Sequence, residues 1–156
     1  MSSPTFDFSE VDDLYQEIIL DHYRSPRNQK EIPESDMDVT GINPFCGDEV
    51  HMRIKLTGES ISAVSFSGNG CSISQASASM LSDIIKGKSL DEANNLYVDF
   101  RDMMHGNDLN ENSMDNLGQA EALSGVKKFP IRIKCALLAW SALEDGIRPH
   151  IEKPQE

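Results

Sequence analysis

The stretch that decides the fold is residues 50–87, VHMRIKLTGESISAVSFSGNGCSISQASASMLSDIIKG. Its first part alternates. Val50, Met52, Ile54 and Leu56 are separated by single polar residues, the period of a strand with one buried face. Thr57-Gly58-Glu59-Ser60 reads as a turn, and Ile61, Ala63, Val64 and Phe66 supply a second strand that pairs with the first as a hairpin. After Gly68-Asn69-Gly70 the period changes. Ile73, Ala76, Met80 and Ile84, flanked by Leu81 and Ile85, form a stripe at helical spacing. Ser72 and Gln75 have the spacing of a capping box, and Gly87 suits the end of the helix. A hairpin that feeds a helix predicts an α+β fold, with the sheet's apolar face packed on helices.

The flanks extend this scheme. Residues 11–23 read as a helix with Leu14, Ile18 and Ile19 on one face and Asp12 and Asp13 in its first turn, stopped by Ser25-Pro26-Arg27-Asn28. Residues 38–42 add a short strand before the hairpin. Ser89 caps a further helix that points Leu90, Ala93, Leu96 and Phe100 inward. Residues 105–118 are rich in Asn, Asp and Gly and read as a loop or weak helix, followed by an apolar segment at 117–126. Pro130 fits the first position of a last helix running through Leu143 and closing near Gly146. The expectation is a single domain over residues 1–156, with its core at about 11–146 and polar termini. It holds one small antiparallel sheet of about three strands, with helices on one face.

Composition narrows the function. Acidic residues number 26 against 14 basic ones, for a formal charge of −12. Phosphate binding needs a positive field, so nucleic acid is excluded as a ligand, and anionic membrane surfaces with it. A partner with a basic docking patch is favoured. The first ten residues carry neither a basic n-region nor an apolar h-region, and no apolar run approaches a membrane span of about 18 residues. A cytoplasmic location is expected, where thiols stay reduced. Three cysteines are an odd number and a poor basis for a disulfide framework.

Each cysteine occupies a special place. Cys46 lies in Asn43-Pro44-Phe45-Cys46-Gly47-Asp48, a turn entering the first hairpin strand, where Gly47 lets the backbone bring Cys46 and Asp48 to one ion. Cys71 stands between a glycine-rich turn and a helix start, where amides and the helix dipole favour a thiolate. Cys135 lies in the first turns of the last helix, one turn after Arg132 and next to Lys134, and both cations favour a thiolate. Three thiolates and one carboxylate match a tetrahedral zinc, and the carboxylate is a ligand that closed structural zinc sites do not use. The competing reading is that the cysteines are small buried hydrophobes.

Four motifs in order carry a family resemblance. Leu14-Tyr15 and Ile18-Ile19-Leu20-Asp21-His22-Tyr23, with Pro26-Arg27-Asn28 after them, form the first. Asn43-Pro44-x-Cys46-Gly47-Asp48 and Gly68-x-Gly70-Cys71-x-Ile73-Ser74 form the second and third. Arg132-x-Lys134-Cys135-Ala136-x-Leu138-x-Trp140 is the fourth. Over about residues 11–146 the chain resembles the SufU-type members of the IscU/NifU-like iron–sulfur assembly family. The IscU branch, a scaffold on which clusters are built, carries His immediately before the third cysteine. Here that residue is Lys134, as in SufU-type proteins, and the polar stretch around 105–118 resembles their insertion.

The resemblance implies a zinc-dependent sulfurtransferase that accepts persulfide sulfur from a pyridoxal-phosphate cysteine desulfurase of the SufS type. It implies zinc ligands at Cys46, Asp48, Cys71 and Cys135, with Cys46 as the acceptor thiol and Arg132 close to the site. In the family, a histidine of the desulfurase replaces this cysteine on zinc. Cys46, on a turn beside Gly47, is the ligand best placed to leave, whereas Cys71 and Cys135 are tied to helices. The alternative is an iron–sulfur scaffold using the same cysteines, and Lys134 speaks against it. His22 reads as structural or partner-facing at a helix end that welcomes positive charge. His51 reads as a solvent-facing strand residue, and His105 and His150 show no ligand spacing.

Overall fold

A computed structural model describes residues 11–44 and 47–151. The chain begins with helix α1 (Asp13–Arg24), capped by Asp12, whose Oδ1 accepts from the Leu14 N–H at 2.9 Å. Strands β1 (Met37–Asn43), β2 (Asp48–Thr57) and β3 (Ser60–Asn69) follow as an antiparallel meander in the order β1-β2-β3. The register sets Asn43 opposite Asp48 and Glu49 opposite Asn69, with an irregularity at Lys55/Leu56. Helices α2 (Ser72–Ile84), α3 (Leu90–Met104), α4 (Glu111–Leu117) and α5 (Pro130–Ile151) complete the chain, with a 3-10 segment, Gly118–Val126, between the last two. This is the expected α+β arrangement of three strands and helices.

Alternation along the sheet does what its period predicts. Asp48, Val50, Met52 and Ile54 are buried, while Glu49, His51 and Arg53 face outward. Ile61, Val64 and Phe66 of β3 join the same core, which continues through Ile73, Met80, Leu81, Phe100 and Trp140. Phe100 of α3 stacks on Trp140 of α5 with ring centroids 4.0 Å apart. The expected inward set of α3 is buried, and Ser89 with Glu92 completes a capping box at its start.

Helix α2 is lined with buried serines, and each hydroxyl has a partner. Ser77 Oγ donates to the Ala136 carbonyl at 2.6 Å and accepts from Trp140 Nε1 at 2.9 Å. Ser79 Oγ accepts from the Arg27 amide at 2.9 Å and lies 2.7 Å from His22 Nδ1. Ser82 Oγ accepts from Asn28 Nδ2 at 2.9 Å. Arg27 and Asn28 thus do more than stop α1: they fasten the following turn to α2, and the Asn28 carbonyl also accepts from the Phe66 amide of β3.

Three local expectations are corrected, and one alternative, the weak helix after residue 105, is borne out. Leu14 is 64% exposed, because α1 turns Ile19 and His22 inward and Leu14 falls beyond the edge of that face. The Ser72/Gln75 capping box is absent: Cys71 is the N-cap and offers no side-chain cap, because the chain enters the helix one residue earlier. Residues 111–117 are helical, capped by Asn110. Gly146 does not close α5. A Cβ there would lie 2.3 Å from Val39 Cγ1, so this glycine lets the helix press against β1 and continue to Ile151. Gly41 meets the same helix from the strand side, at Leu138 and Ala142. This close approach brings the start of α5 over the end of β1.

Candidate metal centre

Three elements converge where β2 begins, α2 begins and α5 completes its first turns. Asp48, Cys71 and Cys135 are each fully buried there, and one ligand atom from each lies within 4.8 Å of the others. Ligand atoms of a single tetrahedral zinc stand about 3.6–3.8 Å apart, so small adjustments would let all three share one ion. The two cysteines form no disulfide with each other.

Local sequence explains the convergence. Asp48 occupies an inward position of β2, and its Oδ1 accepts from the Cys71 amide at 3.0 Å. The Gly68-x-Gly70 end of β3 permits this approach. A Cβ on Gly70 would sit 2.5 Å from Asp48 Oδ1 and 2.4 Å from Ser74 Oγ, and one on Gly68 would sit 2.1 Å from the Glu49 carbonyl. The two glycines leave room for the carboxylate to reach the start of α2. Gly47, at φ +72°, turns the chain into β2, and its amide donates to the Asn43 carbonyl at 2.8 Å.

The donor atoms fit a metal. Asp48 Oδ2 is buried and has no hydrogen-bond partner among the described residues. A buried carboxylate oxygen without a donor is costly, and a cation is the natural complement. The two thiols behave as a pair. The Cys71 thiol is brought down to about 6, first because Cys135 donates to it and then by the Ser74 and Ile73 amides at the start of α2, against burial and the nearby Asp48. Cys135 is pushed above its ordinary range by giving its hydrogen to Cys71, by burial and by Asp48. The adjacent cations Arg132 and Lys134 do not reverse that rise. Cys71 is therefore the sulfur most ready to ionise, and a metal that displaces the shared hydrogen would free the second.

The remaining expected residues are distributed as follows. Cys46 lies outside the described residues. Arg132 is half-buried in the first turn of α5, one turn before Cys135, with its Nη1 atom fully buried. Lys134 is exposed and borders surface hollows beside Asn43, Pro130 and Ile131. His51 faces outward, against Thr40 and Glu49. His105 and His150 are exposed. His22 is buried, bonded to Ser79 and, at 2.6 Å, to Gln119, and burial lowers its pKa. It is structural, as expected, but neutral rather than a welcome positive charge. Sequence reasoning gave no role to Asn43 and Ser74. Asn43 is buried and donates through Nδ2 to Cys135 Sγ at 3.8 Å, and Ser74 Oγ lies 3.9 Å from Cys71 Sγ. An Asn before Pro reads as a turn residue, so only its burial marks it out.

Comparison with known proteins places this arrangement. A family model for the NifU-like N-terminal domain matches residues 14–136. The chain belongs to the NifU-like N-terminal domain family. It is 47% identical over 139 residues to the zinc-dependent sulfurtransferase SufU of Bacillus subtilis, covering 89% of this chain and 92% of that protein. It is 39% identical over 140 residues to the iron–sulfur cluster assembly scaffold protein IscU of Streptococcus pyogenes, covering 90% of this chain and 86% of that one. A solved structure described as a candidate iron–sulfur assembly scaffold of the SUF system in Fervidobacterium islandicum shares 34% identity and superposes with a TM-score of 0.77 over 84% of this chain and 94% of its own. All three motif cysteines and Asp48 lie within the span that the NifU-like model matches. Among the described residues, no helix is long and apolar enough to cross a membrane.

Proposed function

We propose that this NifU-like chain is a zinc-dependent sulfurtransferase that accepts persulfide sulfur from a SufS-like, pyridoxal-phosphate cysteine desulfurase and passes it to iron–sulfur cluster assembly in the cytoplasm. The carrying observation is the buried Asp48–Cys71–Cys135 cluster with its unpartnered carboxylate oxygen. Higher identity to a SufU than to an IscU supports this reading, as does Lys134 where the scaffold branch has His.

Asp48, Cys71 and Cys135 hold the ion, with Cys46 as the fourth ligand. Bound zinc keeps its thiolates unprotonated at neutral pH. Cys71 and Cys135 are anchors: each is buried at a helix start, and Ser77 links α2 to α5 through the carbonyl of the residue after Cys135. Cys46 is the acceptor. Its thiolate attacks the outer sulfur of the donor persulfide, the donor's S–S bond breaks, the desulfurase cysteine leaves as a thiolate, and the transferred sulfur remains on Cys46 as a new persulfide. Arg132 is assigned to hold the thiolate charge during this exchange.

The test begins with metal analysis of the purified protein. A desulfurase assay with and without the chain follows. Wild type carries about one zinc per chain and accelerates the desulfurase, and Cys46→Ala abolishes both stimulation and persulfidation. Full stimulation by Cys46→Ala sinks the mechanism. A brown protein that passes an intact cluster to an acceptor establishes the scaffold reading instead.

A further inference from the structure

Asn43 is a buried polar side chain beside the candidate metal centre that none of these roles uses. It ends β1 opposite Asp48, the residue that opens β2. Its Nδ2 donates to Cys135 Sγ, and its carbonyl accepts from the Gly47 amide. One residue therefore touches the thiol of α5 with its side chain and the residue before Asp48 with its backbone.

We infer that Asn43 is a positioning residue of the metal centre, whose amide hydrogen bond holds Cys135 Sγ as an anchoring thiolate. The chemistry is that of a donor behind a ligand. Once Cys135 loses its proton, an N–H aimed at its sulfur stabilises the negative charge and fixes the direction of the lone pairs. Outer partners of this kind change metal affinity by roughly 10- to 100-fold. A neutral amide suits the place, because a cation would compete with the metal and a carboxylate would repel the thiolate. The inference rests on the zinc reading above and deepens it: with an ion bound, Asn43 would hold Cys135 as an anchoring ligand from behind.

The experiment uses the full chain with zinc alone and with cobalt(II) as a coloured substitute. Zinc affinity is read by competition with a chromogenic chelator, and thiolate-to-cobalt charge transfer by its near-ultraviolet band. Two variants separate hydrogen bonding from packing. Asn43→Leu keeps the volume and removes the donor, and Asn43→Ala removes both. Both variants are expected to bind zinc roughly 10-fold or more weakly and to move the charge-transfer band to longer wavelength, since the sulfur loses a donor. A packing role alone predicts Asn43→Leu to match wild type in affinity and band position, and that result overturns the inference. Should Asn43→Leu fail to fold, an unshifted band in folded Asn43→Ala overturns it equally. A wild-type protein without any thiolate-to-cobalt band removes the zinc reading and this inference together, whereas a normal wild-type band with unchanged variants removes only the inference.

Discussion

His22 shows how a single side chain acquires a role from its neighbours. It sits in the last turn of α1, yet it is buried between Ser79 and Gln119, and burial is the main cause of its lowered pKa. Arg27 works in the same direction, while Asp21 and Asp83 oppose it. The native state therefore prefers the neutral ring. As pH falls below the ordinary histidine value of about 6.5, the unfolded chain takes up the proton first, and stability drops as pH approaches the lower native pKa. Above about pH 6.5 this contribution is complete. Urea midpoints measured between pH 7.5 and 5.5 should fall more steeply for wild type than for His22→Gln, and parallel declines would refute the assignment. Residues whose chemistry announces itself, such as Asp48, Cys71 and Cys135, were legible in the sequence. Asn43 was not, and the neutral, buried state of His22 was not, because nothing local tells a buried polar partner from a surface one. Only the opposing elements decide that.

At the scale of elements, α5 carries the clearest lesson. Gly146 and Pro149 are both ordinary stop signals, so the sequence reads as a helix ending early. Contact with β1 overrides the glycine. Gly146 lies where a methyl group would meet Val39 at 2.3 Å and Met37 at 3.1 Å. In an exposed helix interior, Gly→Ala gains about 1 kcal/mol. Here overpacking costs about 1–3 kcal/mol, and the nearest atom belongs to a stiff β-branched side chain. Gly146→Ala is therefore expected to lower stability, read as a lower urea midpoint. A higher midpoint would mean that helix and strand stand further apart. The hairpin and α2, by contrast, were legible almost throughout, because their periods of 2 and 3.6 serve one apolar core and no competing contact interrupts them.

For the whole molecule, the core extends well beyond the candidate metal centre. Trp140, Phe66, Phe100 and Ile19 are fully buried over the breadth of the chain, and the metal centre occupies one end of the sheet. A chain of this length buries about two-thirds of its extended surface without help. If zinc is bound as proposed, chelating it should lower Tm, because a ligand of the native state has been removed, and leave the far-ultraviolet circular dichroism near its original shape. Cooperative unfolding on chelation would make the zinc a structural rivet. The α+β class and the four-motif order were legible at this scale. The hydrogen-bonded seams between helices were not, because a serine on a helix reads equally well as solvent-facing.

Those seams have a consequence for the order in which the molecule comes apart. Ser77, Ser79 and Ser82 join α2 to α5, to α1 and to the turn at Arg27 and Asn28. No neighbour can swing away without stranding a buried hydroxyl or amide on α2. The amides of α2 should accordingly exchange with deuterium only through global unfolding, while the exposed turns exchange through local openings. Cys71, at the head of that helix, should share this slow clock, so the floor of the candidate metal centre is expected to keep its shape while the exposed turns open.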